Sequence, residues 1–145
     1  MTDYGIRRTF DPADVARQTD KHMHKLPCFW PEDWVKSPLN YSIVDNHTNL
    51  ILLDYVQEGV YEVHIYFEDR GAEALTRANA IKDWIFHQTP ARLLIGKTPV
   101  LEKGAWLFAR LVGFKRVGVI DTKWGSQFMS SLSKEQWNES RNKAT

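Results

Sequence analysis

Between residues 60 and 67 apolar and polar side chains alternate, and after Arg70-Gly71 the apolar spacing lengthens from two residues to three and four. In the alternating stretch Tyr61, Val63, Ile65 and Phe67 share one face of a strand, while Glu62, His64 and Tyr66 share the other. Two ionisable groups, Glu62 and His64, therefore point the same way. From Gly71 to Gln88 the positions Ala74, Ala78, Ile81 and Ile85 recur at helical spacing, which predicts a helix with one buried stripe. Thr89-Pro90 stops it, and residues 91–95, apolar apart from Arg92, predict a central strand. Residues 96–99 then lead into a second helix over 101–112, which Gly113 is placed to end in a left-handed conformation.

The flanking pattern fills in the rest. Residues 6–10 predict a short first strand, and Asp11-Pro12 supplies an N-cap and a first-turn proline for a helix running to about residue 25. Pro27, Pro31 and Pro38 break the next stretch, leaving room for one short helix at 32–36. Apolar, β-branched runs at 41–44 and 50–56, separated by Asp45-Asn46-His47-Thr48-Asn49, predict a hairpin with a longer loop, and Glu58-Gly59 turns the chain into the strand at 60–67. Two last strands are expected at 115–121 and 127–132, and the polar end from Ser133 is expected to fray or to add a short helix. Neither a repeat nor a low-complexity segment interrupts this order, so one domain over residues 1–145 is expected.

Composition narrows the functional classes. Lysine and arginine (19) nearly balance aspartate and glutamate (18), so nothing in the net charge calls for nucleic acid or a membrane surface. Lys115-Arg116, Lys123-Trp124, Arg141 and Lys143 read as a solvated face. Cys28 is the sole cysteine, which excludes an internal disulfide and a cysteine zinc cluster; its apolar setting suits a buried, inert thiol. His22 and His24 have no further ligand near them, and no metal is expected. The first residues lack the apolar core of a signal peptide and no segment is long enough to span a bilayer, so the expected compartment is a cytoplasm, or a particle assembled in one.

Three motifs stand at matching places in this order of elements: Tyr61-Glu62-Val63-His64 on the fourth strand, Arg70-Gly71 opening the long helix, and Ala105-x-x-Phe108-Ala109-Arg110-x-x-Gly113-Phe114 closing the next. Together they resemble the GNAT superfamily of N-acetyltransferases across residues 6–132. The resemblance implies an α/β (α+β) fold: a mixed, mostly antiparallel sheet of six or seven strands, with a parallel strand-helix-strand core flanked by helices. It implies acetyl-CoA as cofactor, held by Phe67, Arg70, Gly71, Ala72, Glu73 and Ala74, with the pyrophosphate on the backbone N–H groups that open the long helix. It also implies an amine acceptor, a small molecule or a protein, selected by residues 23–40 and the end of the chain. Glu62 is the candidate general base and His64 its neighbour in catalysis, and Glu62→Gln is expected to cost most at low pH, where a base is scarce.

The chain departs from the family pattern at three positions. Glu73 places a carboxylate in the anion-binding turn, Glu102 stands where asparagine is common, and Ala109 stands where a tyrosine protonates the departing thiolate. Within the superfamily the combination is most similar to small GNAT-like proteins of tailed bacteriophages. That similarity implies an alternative: a non-catalytic phage protein that works in head assembly or inside the virion, with phage structural proteins as partners.

Overall fold

In a computed structural model of the chain, residues 3–21 and 30–143 are described. The expected helix end near residue 25, Cys28, and the His22 and His24 pair lie outside the described residues. The elements follow as β1 (Arg7–Arg8), α1 (Pro12–Thr19), α2 (Pro31–Lys36), β2 (Tyr41–Val44), β3 (Leu50–Gln57), β4 (Val60–Tyr66), α3 (Gly71–Gln88), β5 (Leu93–Pro99), α4 (Lys103–Val112), β6 (Lys115–Thr122), β7 (Gly125–Ser133) and α5 (Lys134–Lys143).

All seven strands join one sheet in the order β1-β2-β3-β4-β5-β7-β6. Only β4 and β5 are parallel, as the intervening helix α3 requires of a crossover. The α/β architecture expected from the sequence, with its mostly antiparallel sheet and parallel core, is the one observed.

Strand alternation gives the sheet two covered faces. On one, Ile43, Ile51, Leu53, Tyr61 and Leu94 pack against Ala74, Ala78, Ile81 and Ile85 of α3, Val112 of α4 and Trp137 of α5. On the other, Val44, Leu50, Leu52 and Tyr66 pack against Val15 of α1, with Trp34 and Val35 of α2 at the margin. Glu62 and His64 share this second face, because Glu62 stands opposite Asp54 and His64 opposite Leu52 in the β3–β4 register.

The ladder between β4 and β5 is short. It runs from Val60 opposite Leu93 to Glu62 opposite Ile95 and then stops, although β4 continues to Tyr66 and β5 to Pro99. Beyond that point β5 stays paired with β7 as far as Pro99 opposite Gln127. The two strands therefore part in the middle of the sheet and leave a notch.

Four sequence expectations are corrected. The strand expected at 91–95 reaches Pro99, so residues 96–99 are sheet and not a lead into a helix. Gly96 lies within the strand, where a Cβ would lie 3.2 Å from Ser130 Oγ and 3.6 Å from the Phe114 ring, so glycine answers to close packing. Helix α4 starts at Lys103, two residues later than expected. The first strand shrinks to Arg7–Arg8 because Thr9 turns inward, donates from Oγ1 to Asp14 Oδ2 at 2.6 Å, and leads into the Asp11 cap.

The polar end resolves in favour of a helix. Ser133 and Gln136 form a reciprocal capping box, with Gln136 N–H donating to Ser133 Oγ at 3.0 Å and Ser133 N–H to Gln136 Oε1 at 2.9 Å. Trp137 of α5 is buried, stacks on Phe86 at 5.1 Å and donates Nε1–H to Asp83 Oδ1 at 2.7 Å. The helix is thereby fastened to α3.

Candidate functional site

On the α1–α2 side of the notch, three strands bring four charged or titratable groups together. Lys97 Nζ lies 2.8 Å from Glu62 Oε1, and His64 Nε2 lies 3.4 Å from Oε2. With His64 and Lys97 both against it, and despite partial burial, the Glu62 carboxyl is held down at about 2. Asp54 lies directly across the β3–β4 ladder, and its carboxyl is pushed upward by burial. Among the described residues no hydrogen bond or ion pair engages the Asp54 carboxylate, which feels His64 and Lys97 only through space, in contrast to Glu62. A carboxyl held this low by its two neighbours bears on the expectation that Glu62→Gln costs most at low pH, since such a group keeps its charge in mildly acid solution.

Asp54, Glu62 and His64 each bring one ligand atom within 4.8 Å of the others, a spacing that could hold a metal ion. Lys97 already supplies a cation to Glu62 at hydrogen-bond distance, so the cluster is charge-compensated by its own strand neighbour. His47, Asp69 and Glu73 form a second such group, and there Arg77 plays the same part.

Across the sheet the other wall of the notch ends at the start of α3. Gly71 adopts φ +61°, a left-handed value that admits glycine at little cost, and nothing lies within 4 Å of where a Cβ would stand. No side chain caps this terminus, and the first intrahelical bond runs from Ala74 N–H to Arg70 O, so the N–H groups of Gly71, Ala72 and Glu73 open the helix. Arg70 is exposed and donates from Nη1 to Phe67 O at 2.9 Å, which closes the strand-to-helix turn. Phe67 and Ala74 are buried beneath it, Phe67 edge-on to Phe108 of α4 at 6.3 Å.

Glu73 does not stand there as an uncompensated anion. Its Oε1 accepts Arg77 Nε–H at 2.7 Å, one turn along the helix. Arg77 is nearly inaccessible and reaches on to Asp45 Oδ2 at 3.0 Å, Asn46 Oδ1 at 2.7 Å and His47 Nε2 at 2.9 Å. Because Arg77 can only donate, His47 Nε2 accepts, and the imidazole proton sits on Nδ1, 3.1 Å from Asp69 Oδ2. Asn49, fully buried, accepts the N–H groups of Glu68 and Asp69. The β2–β3 loop thus braces the turn that precedes the helix terminus.

The sequence singled out Glu62, His64 and the 70–74 turn as candidates, and the structure adds Asp54, Lys97 and Arg77 as their neighbours. Lys97 was hidden because its segment was expected to be a connection. Arg77 carried a signal: it adjoins the buried stripe at Ala74, Ala78 and Ile81, where an unpaired cation would be costly. Glu102 is exposed at the start of α4 and caps nothing with its side chain, and Ala109 borders a cavity behind α4. Gly113 ends α4 at φ +117°, with Phe114 N–H on Ala109 O and Gly113 N–H on Arg110 O, the paired closure expected of a glycine terminus.

No protein-family model matches the chain, and no curated protein matches it. Solved structures do. An aminoglycoside acetyltransferase, AAC(6')-Ib, in complex with coenzyme A and kanamycin superposes with a TM-score of 0.69 at 9% identity, covering 96% of this chain and 99% of that one. A spermidine N-acetyltransferase variant from Vibrio cholerae gives 0.72 at 13% identity, over 95% and 98%. A GNAT-family acetyltransferase from Bacillus anthracis gives 0.65 at 18% identity, over 90% and 94%. At these identities the likeness concerns the fold, which is that of the GNAT acetyltransferases. Among the described residues, no helix is long and apolar enough to cross a membrane.

Proposed function

We propose that the protein is an acetyl-CoA-dependent N-acetyltransferase of GNAT type that acts on an amine. One observation carries this reading: the parting of β4 and β5 beyond Glu62 and Ile95 sets the uncapped first turn of α3 on one side of the sheet and an acidic cluster on the other. The turn suits a diphosphate, since its N–H groups and the helix dipole both favour an anion, and the carboxylate of its first turn, Glu73, is held on Arg77. Phe67, Arg70, Gly71, Ala72, Glu73 and Ala74 would line the cofactor there. Acetyl-CoA supplies an activated acetyl thioester when bound.

On the acceptor side, the two carboxylates Asp54 and Glu62 stand against one ammonium, Lys97, and that excess of negative charge draws a cationic amine into the notch and orients it. The amine must lose a proton before it can attack. Asp54 is the carboxylate whose basicity is raised and whose oxygens have no other partner among the described residues, so it accepts that proton, with His64 bridging the space to Glu62. The aminoglycoside and spermidine acetyltransferases that share the fold act on cationic amines, which supports an acceptor of that class. Ala109 contributes no acid, so the reaction relies on positioning.

A second reading has one observation in its favour. The edge strand β6 and its surroundings expose Val117, Val119, Trp124 and Leu111, as a packing module in a phage head would. Under that reading the protein is non-catalytic and its partners are phage structural proteins. Calorimetry and thermal unfolding with acetyl-CoA separate the two: saturable binding below about 100 μM supports the enzyme, whereas no stabilisation at millimolar cofactor, with copurification in phage particles, supports the virion role.

A further inference from the structure

Beside α4 a cavity of about 360 Å³ opens between the helix and residues of β5, β6 and β7. Its floor is aromatic: Trp106 and Phe128 meet edge to face at 5.7 Å and 85°. The Arg116 guanidinium lies 3.5 Å over the Phe128 ring and 5.1 Å from Trp106, and Arg110 and Lys115 complete the rim. Thr98 and Ser130 add hydroxyls, and no acidic residue lines the space.

Three cations converge on this one cavity, and its lining brings no carboxylate to meet them. Arg77, Lys97, Arg7, Arg17 and Lys21 each meet a carboxylate. Among the described residues the side chains of Arg110, Lys115 and Arg116 meet none, and Arg116 is engaged only with aromatic faces. Two guanidinium groups and an ammonium around one concavity raise the local potential for an anion, and guanidinium forks favour planar carboxylates or phosphates. An aromatic floor favours a flat ring.

We infer that this cavity is a binding site for a planar aromatic anion, a ring carrying a single carboxylate or phosphate, apart from the turn at residues 70–74 that is proposed for the cofactor. The anionic group pairs with Arg110, Arg116 and Lys115, and the ring rests against Trp106 and Phe128.

The test is titration of the full-length protein with 2-naphthoate and, separately, 2-naphthyl phosphate, following the Trp106 indole N–H by NMR and the heat by calorimetry. At least one probe should bind saturably at submillimolar concentration and shift the Trp106 signal. Cyclohexanecarboxylate and inorganic phosphate should bind at least tenfold more weakly. Arg110→Gln and Arg116→Gln should each weaken binding about tenfold with unchanged thermal unfolding, and raised salt should weaken it further. Should Arg116→Gln unfold the protein, Arg110→Gln alone carries the test. Failure of both aromatic probes to shift Trp106 at millimolar concentration, equal binding of the non-aromatic acid, or wild-type affinity in the folded variants would overturn the site. Acetyl-CoA in the notch should leave the naphthoate affinity unchanged, and direct competition would also count against a separate site.

Discussion

Asp54 and Glu62 face each other across two strands, yet their environments push them in opposite directions. A carboxyl depressed to about 2 adds stability that is fully present above its unfolded value and is lost as pH falls toward 2. A raised carboxyl does the reverse: the native state binds the proton more tightly, so stability falls as pH rises through the window above the unfolded value. Asp54→Asn should therefore raise the unfolding temperature more at pH 8 than at pH 4, as differential scanning calorimetry can show. The same substitution should lower kcat about 100-fold, since it removes the proton acceptor. Glu62→Gln should lower kcat/KM for the amine about tenfold, by a factor that stays flat between pH 5 and 9 because Glu62 is ionised throughout. Arg77→Met leaves Asp45, whose side chain is fully buried, without its cation, and should cost about 3 kcal/mol in urea unfolding.

At the scale of elements, what the sequence made legible was set by local periodicity, and what it hid was set by register. The alternation at 60–67 placed Glu62 and His64 on one face because strand geometry allows nothing else. Asp54 and Lys97 reach the same spot only through the β3–β4 pairing and the extension of β5, which no single segment encodes. Gly96 misled for a related reason, since its meaning lies in Ser130 and Phe114, distant in sequence. Gly96→Ala should accordingly destabilise the fold by about 1 kcal/mol or more in chemical denaturation. At the end of the chain the polarity left fraying and a short helix both open, and the signal that decides for the helix is Ser133 followed three residues later by Gln136. Ser133→Ala should cost about 1 kcal/mol, and Trp137→Ala about 3 kcal/mol, both read from the urea midpoint.

The whole molecule is a sheet divided along β4 and β5, with an anion-suited helix terminus on one face and a cluster of carboxylates on the other. The order of elements, the crossover helix and the Gly113-Phe114 closure carried the fold, and the structures that share it agree. The departures at Glu73, Glu102 and Ala109 weigh differently once placed: Glu73 is bound to Arg77, Glu102 is exposed, and only Ala109 removes a chemical group. Glu73→Gln should thus leave cofactor affinity within about twofold, because the replaced charge is already compensated. The most direct measurement is isothermal titration of the protein with acetyl-CoA, comparing wild type with Gly71→Val, which strains the left-handed turn at the helix terminus. The account predicts saturable binding below about 100 μM by the wild type and at least a tenfold loss in a folded Gly71→Val variant. No binding at millimolar acetyl-CoA, or equal binding by both proteins, would contradict it.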